Sequence, residues 1–358
     1  MDVYALLRPA LFRLSADRAH DLARLALRFP LPFRVVGRSL QVRDSRLATD
    51  LAGIPLASPI GLAPGFDKDG DLLPSLQHLG FGYVVIGSLT PEFRAGNPRP
   101  RLVRYPDRLS IANSMGLPNK GIDAAVRRLR SRPVKHTAVI ASVAGFSTES
   151  ILAGVAALEP YVAAVEVGLI CPNTSESERM RELELVGDLV AELVLRRKRP
   201  VFVKLPPYHS PGDRDRVLAM AGLCAGAGID GVSLNGGRQV VEPRLAAGHG
   251  SLAGRETFAD ALRIVAEVAD HAAGRLLIRA SGGVFTGDDA AAMLRAGAAT
   301  VEIYSAFVYR GWRVAERINR RLLDILTRES LRSVGQLTRR SSSGPIGSTG
   351  DSVASRQS

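Results

Sequence analysis

At 358 residues, the chain is long enough for two average domains or for one large α/β domain with additions. Its 46% hydrophobic and 23% charged residues are typical of a folded protein, and two cysteines, Cys171 and Cys224, exclude a disulfide framework. No apolar run is long enough to span a bilayer and no signal-peptide pattern opens the chain, so we expect a protein of the reducing cytosol.

The charge of the chain is strongly positive, at +12 with a pI of about 10.3. Such a charge attracts anionic lipid, nucleic acid or acidic metabolites without choosing among them. Much of the arginine is scattered along predicted helices, and the aromatic content of 5% includes no pattern typical of RNA binding. We therefore expect no nucleic-acid partner.

The first 40 residues contain two short helical patterns. One covers residues 4–12, and the second begins after Ser15, a suitable N-cap, and runs from Ala16 to Arg28. Pro30 and Pro32 are expected to end it. These helices could pack on the main body or lie on a membrane surface, and the pattern alone favours packing.

Residues 41–330 alternate short apolar runs with helical stretches. This alternation predicts parallel strands covered by helices, and eight units in about this length favour a closed (β/α)₈ TIM barrel of the α/β class over an open, doubly wound sheet. The Ser- and Gly-rich residues 336–358 are too polar to fold alone and are predicted to be a disordered tail. The predicted strands are 60–63, 83–86, 138–141, 164–167, 201–204, 231–234, 276–279 and 300–303.

Polar residues follow the predicted strands, at the end of a barrel where active sites are built. Lys68 follows the first strand, in a segment that could equally be a plain turn. A long connection, 87–119, follows the second strand, and long connections are more often functional than not. The seventh and eighth strands lead into turns at Gly283 and Ser305 that could hold a phosphate. Cys224, in an Ala-rich helix, is predicted to be a core residue.

The order of these motifs resembles that of the dihydroorotate dehydrogenases. The match runs through GLAPGFDKDG (61–70), IGSLTP (86–91), GNPRPRL (96–102), NSMG (113–116), CPNT (171–174), SLAGR (251–255), SGG (281–283) and IYS (303–305). In the N-terminal region, ADRAH (16–20) is similar to the quinone-using class, whose N-terminal helices open an apolar tunnel to the flavin. The resemblance implies FMN, a quinone acceptor, and a monomer bound peripherally to the cytoplasmic side of the cell membrane.

The resemblance also implies roles for individual residues, and none of them is a metal ligand. Cys171 stands at the position of the general base, and His20 and Arg104 would lie near the quinone head group. The substrate would be held by Lys68, Asn113, Asn173 and Asn235. The flavin would be held by Ala63, Gly65, Ser88, Ser142, Lys204, Gly254, Gly283, Tyr304 and Ser305.

The chain departs from the family's pattern at several positions of the site. Cys171 stands where the quinone-using class has serine. Gly168 and Ser142 replace asparagines, Gly236 replaces a hydroxyl residue, and Leu117-Pro118 replaces a Phe-Asn pair. Three hypotheses therefore stand: oxidation of dihydroorotate with FMN and quinone, the same flavin chemistry on another dihydropyrimidine or cyclic amide, and a non-catalytic barrel that serves as a binding module.

Overall fold

The computed structural model describes residues 3–169 and 182–338. The predicted base Cys171, the predicted substrate ligand Asn173 and the tail from residue 339 onwards lie outside the described residues. The helices are α1 Val3–Arg13, α2 Ala16–Leu27, α3 Pro30–Leu40, α4 Leu73–Leu76, α5 Ile122–Ser131, α6 Thr148–Leu158, α7 Leu183–Arg196, α8 Pro211–Ala227, α9 Phe258–Ala272, α10 Gly287–Arg295, α11 Ser305–Arg310 and α12 Val314–Arg328. The strands are β1 Thr49–Leu51, β2 Ile54–Leu56, β3 Ile60–Asp67, β4 Tyr83–Leu89, β5 Leu102–Tyr105, β6 Ser110–Asn113, β7 Ala138–Ala144, β8 Ala164–Gly168, β9 Val201–Lys204, β10 Gly231–Leu234, β11 Arg238–Val241, β12 His249–Gly254, β13 Leu277–Ser281 and β14 Thr300–Ile303.

Eight parallel strands close into a barrel in the order β3, β4, β7, β8, β9, β10, β13, β14. β3 pairs with β4 on one side and with β14 on the other, so the sheet has no edge and the open-sheet alternative is excluded. The (β/α)₈ prediction is confirmed, and each of the eight predicted strands is a barrel strand. Strands buried on both faces are expected to be continuously apolar, as Tyr83–Ile86 of β4 is.

A short hairpin, β1–β2, covers the N-terminal end of the barrel. Its buried residues Leu51, Ile54 and Leu56 pack against Tyr83 and Phe202, which lie at the starts of their strands. This end is therefore sealed by apolar side chains, and the opposite end remains for a site.

A second sheet lies beside the C-terminal ends of the strands. Its antiparallel order is β11-β12-β6-β5. β5 and β6 belong to the long connection that we expected to be functional, and β11 and β12 follow β10. Sequence analysis predicted neither hairpin, because β6 pairs with β12, about 140 residues later in the chain, and a local pattern carries no signal of such pairing.

The N-terminal extension has three helices where sequence analysis predicted two. Pro30 follows the end of α2 and occupies the first turn of α3. Proline cannot continue a helix, but its missing N–H and its fixed φ suit the first helical position. The two prolines therefore mark both the end of α2 and the start of α3.

Two smaller predictions concern Cys224 and the C-terminus. Cys224 is fully buried in α8, as predicted for a core residue, and burial raises the pKa of its thiol to about 12. Val334–Gln336 forms a short 3₁₀ turn, and Leu337 is buried against the core. The first residues assigned to the tail, 336–338, therefore belong to the folded body.

Candidate active site

A cavity of about 1230 Å³ opens at the C-terminal ends of the barrel strands. Its volume exceeds the roughly 300–1,000 Å³ of a usual small-molecule pocket, so it can hold a cofactor and a substrate together. The sequence-predicted residues that line it are Ala63, Gly65, Lys68, Ser88, Asn113, Lys204, Asn235, Gly254, Gly283, Tyr304 and Ser305. Residues from six of the barrel strands or the connections that follow them thus converge on one space, as the barrel geometry predicts.

Three predicted residues that the structure describes do not line the cavity. Ser142 is buried beneath the cavity wall, with its hydroxyl 2.9 Å from the hydroxyl of Ser88. His20 and Arg104 are not among the cavity-lining residues and lie at the junction with the N-terminal helices.

Lys68 lines the cavity and also touches α2. Its ammonium donates to the carbonyl oxygen of Gly65 at 2.8 Å and lies 3.2 Å from Nε2 of His20. Burial, together with the positive charges of Arg24 and Arg101, lowers the pKa of Lys68 to about 7. Burial and the Lys68 charge likewise hold the pKa of His20 well below its usual value. A neutral His20 can therefore accept a hydrogen bond from the Lys68 ammonium.

Neighbouring groups orient the two asparagines that line the cavity. Asn113, at the end of β6, donates from Nδ2 to the carbonyl oxygen of Ser251 at 3.1 Å. Asn235, just after β10, accepts the N–H of Gly237 on Oδ1 at 2.9 Å. Each side chain keeps further donor and acceptor capacity for a ligand with amide-like edges.

Glycines let the backbone come close at the end of the cavity where a phosphate was expected. Gly254 has a φ of +118° and Gly283 a φ of +68°. A Cβ added to Gly283 would lie 2.8 Å from the carbonyl oxygen of Gly254, so any larger residue would force the two loops apart. This glycine cradle, Gly254 and Gly283, leaves backbone room for a phosphate.

The structure shows what surrounds two of the departures from the family's pattern. A Cβ at Gly236 would lie 2.4 Å from the carbonyl oxygen of Thr257, so the hydroxyl residue usual in the family does not fit here. Gly168 lines the cavity, and among the described atoms a Cβ there would meet only the carbonyl oxygen of Val143, at 3.5 Å. Within the part of the chain that the structure describes, the missing side chain at Gly168 therefore leaves space in the wall.

Sequence analysis missed a charged cluster inside the barrel, below the main part of the cavity, which one of its members, Glu302, also lines. Arg279 of β13, Glu166 of β8 and Glu302 of β14 are almost completely buried, and Arg279 forms ion pairs with both carboxylates. The signal was present, since each charge interrupts an apolar strand run and buried charges are rare unless paired.

The polar face of α2 lies on the barrel. Asp17 accepts the backbone N–H of Arg101, Asp21 pairs with Arg99, and Arg24 bonds to the carbonyl oxygen of Phe66 and to Asp71. Together with His20, these positions repeat at helical spacing. Leu22 and Leu25, on the other side of α2, consequently point outward, whereas Leu27 at its end is buried in the core.

Arg104 fixes the end of α1. Its guanidinium lies 4.3 Å from the ring centroid of Phe12 and donates to the carbonyl oxygen of Leu14. Because carbonyl groups at a helix C-terminus lack partners within the helix, this arginine is well placed to hold α1 against β5.

A comparison with known protein families covers most of the chain. The family model described as dihydroorotate dehydrogenase matches residues 46–326. The chain belongs to the dihydroorotate dehydrogenase family. It is thus an oxidoreductase of a generally flavin-dependent family, and the non-catalytic barrel loses its support.

Similar proteins match over nearly their whole length. The chain is 34% identical to the dihydroorotate dehydrogenase (quinone) of Roseiflexus sp. (strain RS-1), over 93% of this chain and 96% of that protein. It is 34% identical to the protein of that name from Thermus thermophilus, over 92% and 99% of the two chains. The crystal structure of DHODH from Eimeria tenella in complex with ferulenol superposes with a TM-score of 0.77 at 23% identity, over 93% and 98%, which shows the shared fold.

Proposed function

We propose that this protein oxidises dihydroorotate to orotate with bound FMN and transfers the electrons to a quinone at a membrane surface. The observation that carries the proposal is the convergence of Lys68, Lys204, Asn113 and Asn235 with the glycine cradle around one cavity of sufficient size. Membership of a family whose relatives are named dihydroorotate dehydrogenase (quinone) supports the same reaction.

The cavity suits FMN at both of its ends. Gly254 and Gly283 leave room for a phosphate beside the loops after β12 and β13, with Tyr304 and Ser305 next to them. Ala63, Gly65, Ser88 and Lys204 line the part of the cavity where the ring would lie. When bound, FMN supplies the acceptor for a hydride from the substrate.

Lys68, Asn113 and Asn235 would bind the substrate. Dihydroorotate carries a carboxylate and a ring with amide edges, which match an ammonium and carboxamides. A substrate carboxylate close to Lys68 would raise the pKa of that lysine from about 7, because an opposite charge favours the ammonium. Substrate binding should therefore be accompanied by proton uptake at neutral pH.

Cys171 would act as the base that removes a proton from the substrate carbon next to the one that loses hydride. Cys171 lies outside the described residues, but Gly168, three positions earlier, lines the cavity. The proposal for Cys171 is supported by its place in the CPNT motif (171–174), at the position where the resemblance puts the general base. A thiol titrates near 8.5, and neighbouring cations lower this value, so a reactive thiolate is accessible at neutral pH.

The N-terminal helices would bring the quinone to the flavin. Apolar side chains on their outer surface are exposed, and exposed apolar patches rimmed with basic residues are typical of membrane-surface helices. No helix in residues 3–169 or 182–338 combines the length and the apolar character needed to cross a bilayer. We therefore propose peripheral attachment, with His20 and Arg104 near the quinone head group. The exposed apolar residues are Val3, Leu6, Leu7, Leu14, Leu22, Leu25, Phe29, Leu31, Val35 and Val36.

The decisive experiment is an anaerobic titration of the purified protein with dihydroorotate. We expect a yellow protein whose flavin absorbance bleaches rapidly with dihydroorotate and returns when quinone is added. A yellow protein that dihydroorotate does not reduce would favour a different dihydropyrimidine or cyclic amide, for which the open space at Gly168 provides room. A colourless protein would overturn the proposal.

Replacing Leu22 and Leu25 together with glutamate should detach the protein from anionic vesicles and slow quinone reduction severalfold. Both leucines are on the outer face of α2, 45% and 51% exposed. Dihydroorotate-driven flavin reduction should be unchanged, because it needs only the barrel. Leu195→Glu is the matched control. Leu195 is 78% exposed, but it is on α7 of the barrel and not on the N-terminal helices α1–α3. Equal effects of the two changes would contradict a membrane role for α2.

A further inference from the structure

The charged cluster below the cavity consists of one guanidinium between two carboxylates. Arg279, Glu166 and Glu302 are 0%, 0% and 3% exposed. Arg279 Nη1 lies 3.3 Å from Glu166 Oε2, and Arg279 Nε donates to Glu302 Oε1 at 3.0 Å. Removing water from three charges is costly, so the cluster persists only because its members compensate one another.

Aromatic side chains and strand pairing hold Arg279 in place. Its guanidinium lies 5.1 Å from the ring centroid of Phe202 and 5.6 Å from that of Tyr83. The Tyr83 hydroxyl donates to Glu302 Oε1 at 3.1 Å. Because β13 is paired on both sides within the closed barrel, Arg279 has little freedom to move.

Lys204 lines the cavity, as Glu302 does, and it links Glu166 to that space. It is on β9, where it pairs in register with Gly168 of β8 and Ser233 of β10. Burial opposes ionisation of Glu166, but the charges of Arg279 and Lys204 outweigh burial and lower its pKa. Burial raises the pKa of Glu302, against the opposing pull of Arg279. Glu166 is therefore the firmly ionised member, and it interacts with a lysine that lines the cavity.

Arg279 and Lys204 thus share the negative charge of Glu166. While Arg279 is present, it balances much of that charge, and Lys204 can offer its own charge to the cavity. Without Arg279, the lysine would be the main partner of the buried carboxylate and would be drawn away from any ligand. At short range and low dielectric such a redistribution has large effects.

We propose that Glu166 and Arg279 are positioning residues that set the charge Lys204 presents to the flavin and thereby the flavin's reduction potential. The inference rests on the proposed function only in requiring a flavin beside Lys204. A net positive charge next to the flavin ring stabilises its reduced, more negative form. The charges of Glu166 and Arg279 therefore change the reduction potential of the flavin. The quinone and the substrate have no part in this effect.

The test is a redox titration of the FMN-loaded protein with indicator dyes. Glu166→Gln removes one negative charge with little change of shape, and we expect a more positive potential. The two-electron equilibrium should shift at least tenfold, which corresponds to about 30 mV. Arg279→Met removes a positive charge and should make the flavin potential more negative. If that variant does not fold, the result for Glu166→Gln alone tests the inference.

Glu316→Gln is the matched control. Glu316 is also a buried carboxylate paired with two arginines, Arg313 and Arg320, but it is on α12, on the outside of the barrel. The control should leave the potential unchanged, and an equally unchanged potential in Glu166→Gln would overturn the inference. If the two variants shift the flavin potential as expected but dihydroorotate does not reduce the wild type, only the proposed substrate would be wrong. A wild type that binds no flavin would overturn both.

Discussion

Replacing Cys171 with alanine is expected to slow dihydroorotate-driven flavin reduction by about 10²–10⁴-fold while FMN stays bound. The variant lacks the group proposed to take the substrate proton, and positioned bases contribute rate factors of this size. The flavin contacts proposed above do not include Cys171, so the absorbance of the oxidised flavin should match that of the wild type. Stopped-flow measurement of flavin bleaching under anaerobic conditions gives the rate directly.

Cys224→Ala is the natural control for this experiment. Cys224 is buried in α8 and its thiol pKa is raised to about 12, so it cannot act as a thiolate at neutral pH. We expect normal reduction and a modest loss of stability from the small cavity created. If Cys171→Ala reduced its flavin as fast as Cys224→Ala does, Cys171 would not be the base.

Replacing Lys68 with methionine should raise the free energy of unfolding of the substrate-free protein at pH 6 by about 2–4 kcal/mol and abolish efficient reduction by dihydroorotate. The folded state lowers the pKa of Lys68 to about 7 from 10.5. Below pH 7 the lysine is charged in both states, and the folded protein bears the full cost of burying that charge. Methionine is similar in length and removes the cost.

The advantage of Lys68→Met should shrink as the pH rises from 7 towards 10.5. In that range the unfolded chain keeps the lysine proton and the folded protein has lost it, so wild-type stability rises relative to the variant. Denaturant unfolding of both proteins at pH 6, 8 and 10 measures the difference. A difference independent of pH would show that the Lys68 pKa is not depressed.

Local patterns were sufficient to predict the barrel. Strands such as Tyr83–Ile86 are continuous apolar runs because both of their faces are buried, and alternation with amphipathic helices leaves few other architectures. Order along the chain also predicted which residues line the mouth. Lys68, Lys204 and Asn235 follow different strands, and parallel strands in a barrel bring their ends together.

Most of the features that escaped sequence analysis depend on contacts between residues far apart in the chain. The β6–β12 contact, for example, joins two hairpins that are distant in sequence. The third N-terminal helix was missed for a different reason, because Pro30 marks both the end of one helix and the start of another. The His20–Lys68 contact and the positions of Glu166 and Arg279 likewise have no local signature beyond a polar residue in an unusual place.

The sequence by itself determined the class of fold, the family and eleven of the residues around the cavity, because hydrophobic periodicity and motif order are properties of the linear chain. Only the tertiary structure decided which charges meet. The lowered pKa of Lys68 and the balance between Glu166 and Arg279 arise from burial and from distances of a few ångströms across the barrel. Electrostatic energies depend steeply on both, and neither can be read from positions along the chain.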